Sequence, residues 1–221
     1  MTTFTTPAPI SAVFAVPAGH IHLVAADRAD TTVEVAPADA SKSRDVKAAE
    51  QTTAEYRDGV LRIEAPAKNQ YFGPSGTVDV TVHLPAGSRV EVKAASAELR
   101  TTGRLGDVVV ESDHGTITLD ETADARLTTS AGDVSIARLT GPAEIRTRKG
   151  DIRVAEAVRG TVVLRTDAGE VEIGAAAGVS ASLDAGTSHG RIRNSLRNDG
   201  GTAELAVHAS TSVGDITARS L

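Results

Sequence analysis

Three consecutive stretches of this chain are versions of one another. Leu127-x-Thr129-x-x-Gly132-Asp133-Val134-x-Ile136 is followed by Ile145-x-Thr147-x-x-Gly150-Asp151-Ile152-x-Val154, and then by Leu164-x-Thr166-x-x-Gly169-Glu170-Val171-x-Ile173. Each copy has two short runs in which aliphatic and polar residues alternate, broken by a glycine turn, which reads as strand, corner, strand. The glycines at 132, 150 and 169 stand 18 and 19 residues apart. A period near 20 marks a solenoid, because one such unit cannot bury its apolar face until a neighbour stacks on it.

Extended in both directions, the same corner falls at Ala97, Gly115, Gly190 and Gly214. Two residues after each corner runs an aliphatic ladder of Leu99, Ile117, Val134, Ile152, Val171, Ile192 and Ile216. Five residues before it run Val92, Val110, Leu127, Ile145 and Leu164, and Leu183 joins them if the sixth rung carries a two-residue insertion at Gly186-Thr187. Three before, the inward position is small or β-branched, at Ala94, Ser112, Thr129, Thr147 and Thr166. A second glycine column, at Gly106, Gly141, Gly160 and Gly178, marks the other corner. The expected fold is all-β: residues 90–221 form a single-chain, parallel β-helix-like solenoid of about seven rungs. The crossover preference of parallel strands favours a right-handed coil.

Residues 1–89 are β-rich but irregular, and are expected to cap the start of the stack. Gly19-His20-Ile21-His22-Leu23 repeats the rung alternation, Tyr56-Arg57-Asp58-Gly59-Val60 carries an Asp-Gly hairpin signal, and Val78 to Leu84 alternate strictly. Residues 38–52 alone have helical composition, and predict a short exposed helix or a loop. The 21- and 24-residue spacings and the polar Ser195–Gly201 stretch predict a second cap at the far end.

At 221 residues with net charge −6, the chain lacks the basic footprint that nucleic-acid backbones require. Three Phe, two Tyr and no Trp leave no stacking platform for single strands, and suit a core of thin aliphatic layers. Without cysteine there is neither a disulfide nor a thiolate site. The first twenty residues have neither a basic start nor a long apolar run, and no stretch approaches the ~20 apolar residues of a membrane span. The expected setting is the cytoplasm, without membrane insertion.

The stretch Gly76-Thr77-Val78-Asp79-Val80-Thr81-Val82-His83-Leu84-Pro85-Ala86-Gly87-Ser88, the Gly-Asp-Val/Ile rungs and the ending that runs from Leu183-Asp184 to Gly190-Arg191-Ile192-Arg193-Asn194-Ser195-Leu196 together resemble a widespread bacterial family. Its members are β-strand-repeat proteins of unknown function described as candidate adhesins or toastrack-like domains. The resemblance implies a setting in envelope-stress signalling and supplies no catalytic residues.

The residues after each corner, Glu98, Thr116, Asp133, Asp151, Glu170, Arg191 and Asp215, form a column with one carboxylate per rung. Calcium-binding repeats supply an acidic ligand in both turns, so these side chains are read as acceptors for turn hydrogen bonds. Arg153, Glu172 and Arg193 alternate in sign in a parallel column, and Glu170 is expected between Asp151 and Arg191. His20 and His22 share one strand face, but a zinc site needs a third ligand and none is identifiable. No nucleophile–base order, phosphate loop or zinc-protease helix appears. No catalytic, metal or cofactor residue is therefore assigned. The expected function is a non-enzymatic protein-interaction scaffold, a monomer or weak oligomer, with a carbohydrate-binding or carbohydrate-processing solenoid as the alternative. Its candidate interaction face is the outward basic set Arg146, Arg148, Lys149 and Arg165, joined by the loop aromatics Tyr71 and Phe72.

Overall fold

Alternation in the sequence becomes alternation of burial. In the computed structural model, which describes residues 1–66 and 76–221, Val78, Val80, Val82 and Leu84 are buried while Asp79, Thr81 and His83 face outward. The chain divides into two compact units, Met1–Gly115 and Thr116–Leu221. Among the described residues the second is all-β and the first is all-β apart from one short helix, and each is built of solenoid rungs.

The first unit opens with β1 (Thr2–Thr5), β2 (Ser11–Ala15), β3 (Ala18–Ala26) and β4 (Asp30–Pro37). After α1 (Ser43–Gln51) come β5 (Thr53–Arg57), β6 (Val60–Glu64), β7 (Val78–Pro85), β8 (Arg89–Thr102) and β9 (Arg104–His114). The long β8 pairs in parallel with β2 along its first half, from Ser11↔Arg89, and with β3 along its second, to Val24↔Thr102. On their other sides β2 takes β6 and β3 takes β7, again in parallel. The rung made by β2 and β3 therefore lies inside the unit, between the β6–β7 rung and β8. The register Val90↔Val108 and Val92↔Val110 joins β9 to β8 at the 18-residue spacing of the ladder. Antiparallel β4, β1 and β5 finish the edges. At the β5–β6 hairpin Asp58 and Gly59 both have positive φ, 51° and 78°, the geometry that lets a two-residue loop follow the strand twist. Phe4 on β1 and Tyr56 on β5 meet with ring centroids 5.7 Å apart, tying together two edge strands.

Residues 38–52 do contain a helix, but α1 is docked rather than exposed: Asp45 and Ala48 are buried. A buried carboxylate needs partners. Asp45 Oδ1 accepts the Thr77 N–H at 3.0 Å, and Arg44 lies 3.6 Å away.

The second unit contains β10 (Ile117–Ala131), β11 (Val134–Leu139), β12 (Ala143–Lys149), β13 (Ile152–Ala157) and β14 (Gly160–Ala168). It continues with β15 (Val171–Ala175), β16 (Ala181–His189), β17 (Ile192–Ser195), β18 (Leu205–Val213) and β19 (Ile216–Ser220). These pair in parallel as two sheets, β10–β12–β14–β18–β16 and β10–β11–β13–β15–β19–β17. Ile117, Val134, Ile152 and Val171 stand in one buried ladder, as the repeat predicts.

Beyond Val171 the order departs from the sequence. Val171 is followed by Ile216, and Ile192 comes after that, so the last rung of the chain is inserted before the one that precedes it. The expected insertion at Gly186-Thr187 is also absent: Leu183 opposes Val207, and Ala185 takes the position in line with Ala209 and Leu164. Burial explains the exchange. β18–β19 puts Leu205, Val207, Ala209, Ile216 and Ala218 inward and buries all five, which requires a neighbour on both sides. β17 is exposed along its whole length, and β16 along much of its own, so that rung tolerates an end position.

Ile152 is wholly buried, whereas Ile192 is 45% exposed. Ile152→Ala should cost about 2–4 kcal/mol through the cavity it leaves. Ile192→Ala should cost well under ~1 kcal/mol. Urea melts of both variants with a common m-value check this; equal losses would mean that the ladder does not end where the structure ends it.

Candidate functional site

The corner motif positions every outward column of the second unit. Stacking at rung spacing brings successive corners so close that a Cβ on Gly150, at φ 147°, would lie 2.2 Å from the Gly132 carbonyl oxygen. Glycine is required there by contact as well as by conformation. The neighbouring side chains then hold the corner. Thr147, Thr166, Thr211 and Thr187 donate their hydroxyls to the carbonyls of Gly132, Gly150, Gly169 and Gly214, at 3.4, 3.0, 3.0 and 3.0 Å. Asp133 Oδ1 accepts the Asp151 N–H at 2.9 Å, Asp151 Oδ1 accepts the Glu170 N–H at 2.8 Å, and Asp215 Oδ1 accepts the Arg191 N–H at 2.9 Å. The acidic column thus clamps rung to rung. Among the described residues no three His, Cys, Asp or Glu side chains are grouped so as to hold a metal ion.

The two sheets present different outer faces. On β11, β13, β15, β19 and β17 the charges are matched. Arg138 meets Glu156 at 2.7 Å, Glu172 lies between Arg153 at 3.4 Å and Arg219 at 3.1 Å, and Arg191 and Arg193 converge on Asp215 at 3.1 and 3.5 Å. The expected Arg153–Glu172–Arg193 alternation is corrected by the rung exchange, because Thr217 stands between Glu172 and Arg193. For the same reason Glu170 lies next to Asp215 rather than Arg191. The Arg191 backbone N–H, and after it the Arg191 guanidinium, hold the Asp215 carboxyl below its usual value.

On the other sheet the charges are matched only in part, with His208 on β18 meeting Asp184 on β16 at 3.3 Å. Glu144 takes both Arg146 and Arg126, the latter at 3.9 Å. Arg165 stands directly opposite Arg146 in register, and Arg148 and Lys149 follow along β12. Among the described residues Arg148, Lys149 and Arg165 form no ion pair. The structure therefore gathers the four basic residues on adjacent strands. Tyr71 and Phe72 lie outside the described residues.

Two concavities were not legible in the sequence. At the second corner of this unit a groove of about 580 Å³ runs over Gly141, Pro142 and Gly160, flanked by Arg159 and Glu204. Arg159 is held by its Nε–H, which donates to the Thr140 carbonyl at 3.2 Å. The second-column glycines signal the corner, but Glu204 reaches it only through the rung exchange. In the first unit a shallow hollow of about 390 Å³ is lined by His20, His22, Glu98 and Arg100. There Asp79 engages His20 Nδ1 at 2.7 Å, while Arg100 stands opposite His22.

Residues 16–220 match the Toastrack DUF4097 family, and the chain belongs to it. Among solved structures it is similar to a candidate adhesin from Bacteroides fragilis, at 12% identity and a TM-score of 0.58, covering 98% of this chain and 95% of that one. A candidate adhesin from Parabacteroides distasonis is similar at 12% identity and a TM-score of 0.48, with 100% of this chain and 95% of that one covered. The Bacteroides structure bears on the fold alone at that identity. No curated protein matches the sequence. Among the described residues no helix is long and apolar enough to cross a membrane.

Because the folded state lowers the Asp215 value, the stability it adds is present above the ordinary aspartate value and drains away as pH falls through the lowered one. Asp215→Asn should flatten that acid-side loss in urea melts between about pH 5 and pH 2; an unchanged slope would count against the clamp. Calcium at millimolar concentration should leave the melting temperature unmoved, since one carboxylate per rung cannot complete a shell of roughly 6–8 oxygens. A rise of several degrees that Asp133→Asn with Asp151→Asn removes is the contrary result.

Proposed function

We propose that the protein is a non-catalytic interaction scaffold, adhesin-like in build, whose β12–β14 face docks an acidic protein surface. One observation carries the reading: one outer face of the second unit neutralises its own charges across rungs, and on the other, among the described residues, Arg148, Lys149 and Arg165 form no ion pair although Asp167 stands beside Arg148 in register. Like charges held in register on adjacent strands cost free energy. A partner that brings carboxylates to them relieves that cost, and arginine's planar fork suits carboxylate recognition. The signalling setting implied by the family resemblance fits such a role. The carbohydrate alternative is weaker, because the Arg159–Glu204 groove is lined without an aromatic ring.

A dye-labelled oligo-glutamate peptide serves as the probe. Arg146→Glu, Arg148→Glu and Arg165→Glu together should weaken its binding at least ~10-fold, about 1.4 kcal/mol, and remove most of its salt dependence. Arg138→Glu, on the matched face, should change little. Equal losses from the two faces would reduce the effect to net charge and defeat the proposal.

A further inference from the structure

The rung β16–β17, which ends the second unit, is an internal segment of the chain. β16 pairs with β18 and β17 with β19, while β14 and β15 hold β18 and β19 from the other side. If β16–β17 left, the C-terminal rung would keep its whole register on β14, from Gly160↔Leu205 to Ala168↔Val213. It would also keep its register on β15, from Val171↔Ile216 to Ala175↔Ser220.

Little apolar burial holds the outer rung down. Among the described residues of β16 and β17, Ala181 alone is a buried aliphatic, whereas β18–β19 buries Leu205, Val207, Ala209, Ile216 and Ala218. Ile192 is 45% exposed where Ile216, its partner one rung inward, is wholly buried. The joints on either side are open too: a Cβ on Gly178, Gly200 or Gly201 would meet no atom within 4 Å. Two further bonds are internal to the segment and would move with it. The Ala181 N–H donates to the Arg197 carbonyl at 2.9 Å, and the Asp199 N–H to Ser180 Oγ at 3.2 Å.

Beyond the strand pairing, one carboxylate ties the rung down. Asp215, at the corner before β19, accepts the Arg191 N–H on Oδ1 at 2.9 Å. Its Oδ2 accepts Arg191 Nε and Nη2 at 3.2 and 3.1 Å, and Arg193 lies 3.5 Å from the same oxygen. Charge-assisted bonds of this kind are roughly twice as strong as neutral ones. The remaining ties are single contacts: His208 with Asp184 at 3.3 Å, Thr187 Oγ1 with the Gly214 carbonyl at 3.0 Å, and the Arg197 N–H with Ser220 Oγ at 2.9 Å.

We infer that β16–β17 is a cover latched by Asp215, which opens as a unit from β18–β19 while the rest of the second unit stays folded. Segments with few buried apolar contacts and exposed backbone bonds open at lower free energy than the core. Chain ends are where structure ordinarily loosens first. Here the last strands are the protected ones, and the segment before them opens. Opening uncovers the aliphatic ladder of β18–β19 and the outer edges of both strands, which the closed form hides.

Hydrogen exchange of the full chain is the measurement, read at the amides of β16 and β17 that bond β18 and β19. They should exchange at least ~100-fold faster than the amides of β18 and β19 that bond β14 and β15. Asp215→Ala should speed exchange in the cover at least ~5-fold and leave the amides between β12 and β14 unchanged. Should that variant fail to fold, Arg191→Ala, at a side chain 74% exposed, should speed the cover at least ~3-fold. Cover amides as slow as those of β18–β19, last strands that exchange as fast as the cover, or a folded latch variant with unchanged cover exchange would each overturn the inference.

Discussion

The spacing between successive glycine corners controls the second unit. Parallel strands about 4.8 Å apart bring each corner's backbone against the next, leaving no volume for a side chain. That closeness puts a carbonyl within reach of the threonine three residues before the next corner, and an N–H within reach of the aspartate just past the last one. Thr-x-x-Gly-Asp is thus a single device: glycine permits the approach, and the two polar side chains satisfy the groups that the approach strips of water. Glu170 tests the logic, because with its extra methylene it makes no such bond to the following rung, and the inserted rung brings Asp215 to continue the column. With the corners fixed, every other column, apolar or charged, has its register decided.

This is why the rungs were legible in the sequence and the ends were not. The corner motif sets register locally, so Ile117, Val134, Ile152 and Val171 could be aligned by counting. Strand order beyond Val171 depends on which rung can tolerate a single neighbour. That is a comparison of burial between Leu205–Ile216 and Leu183–Ile192, and glycine spacing does not contain it. The same gap misplaced Arg193 and Glu170, and hid the Arg159–Glu204 groove. In the first unit the Asp-Gly hairpin announced itself through local geometry. The docking of α1 did not, because it turns on one buried carboxylate, Asp45, reaching a backbone N–H at Thr77, 32 residues away. The basic set was legible as a set, since alternation alone puts Arg146, Arg148 and Arg165 outward. That Arg148 and Arg165 would form no ion pair while Arg146 takes Glu144 was not, because it depends on the partners that neighbouring residues bring.

The two outer faces illustrate how a regular scaffold separates stability from function. The rungs supply identical backbone support to both sheets, so side chains on the outside are free to differ. On one sheet cross-rung pairs such as Arg138–Glu156 settle the charges internally, each contributing a fraction of a kcal/mol. On the other a row of guanidinium groups is held out on strands whose positions the corners fix. The backbone beneath them is fixed by the corners, while the exposed side chains keep their rotamer freedom.

In each unit strands far apart in sequence close around an inner rung: β2–β3 lies between β6–β7 and β8, and β18–β19 between β14–β15 and β16–β17. During synthesis the C-terminal arrangement has a consequence in time. The β16–β17 segment emerges from the ribosome before β18 and β19, the strands it pairs with, and must wait unpaired until they have followed it out. A chain interrupted before β18 and β19 would lack an inner layer rather than an outer one. It would show its aliphatic ladders to chaperones and proteases as an unmistakable sign of an incomplete message.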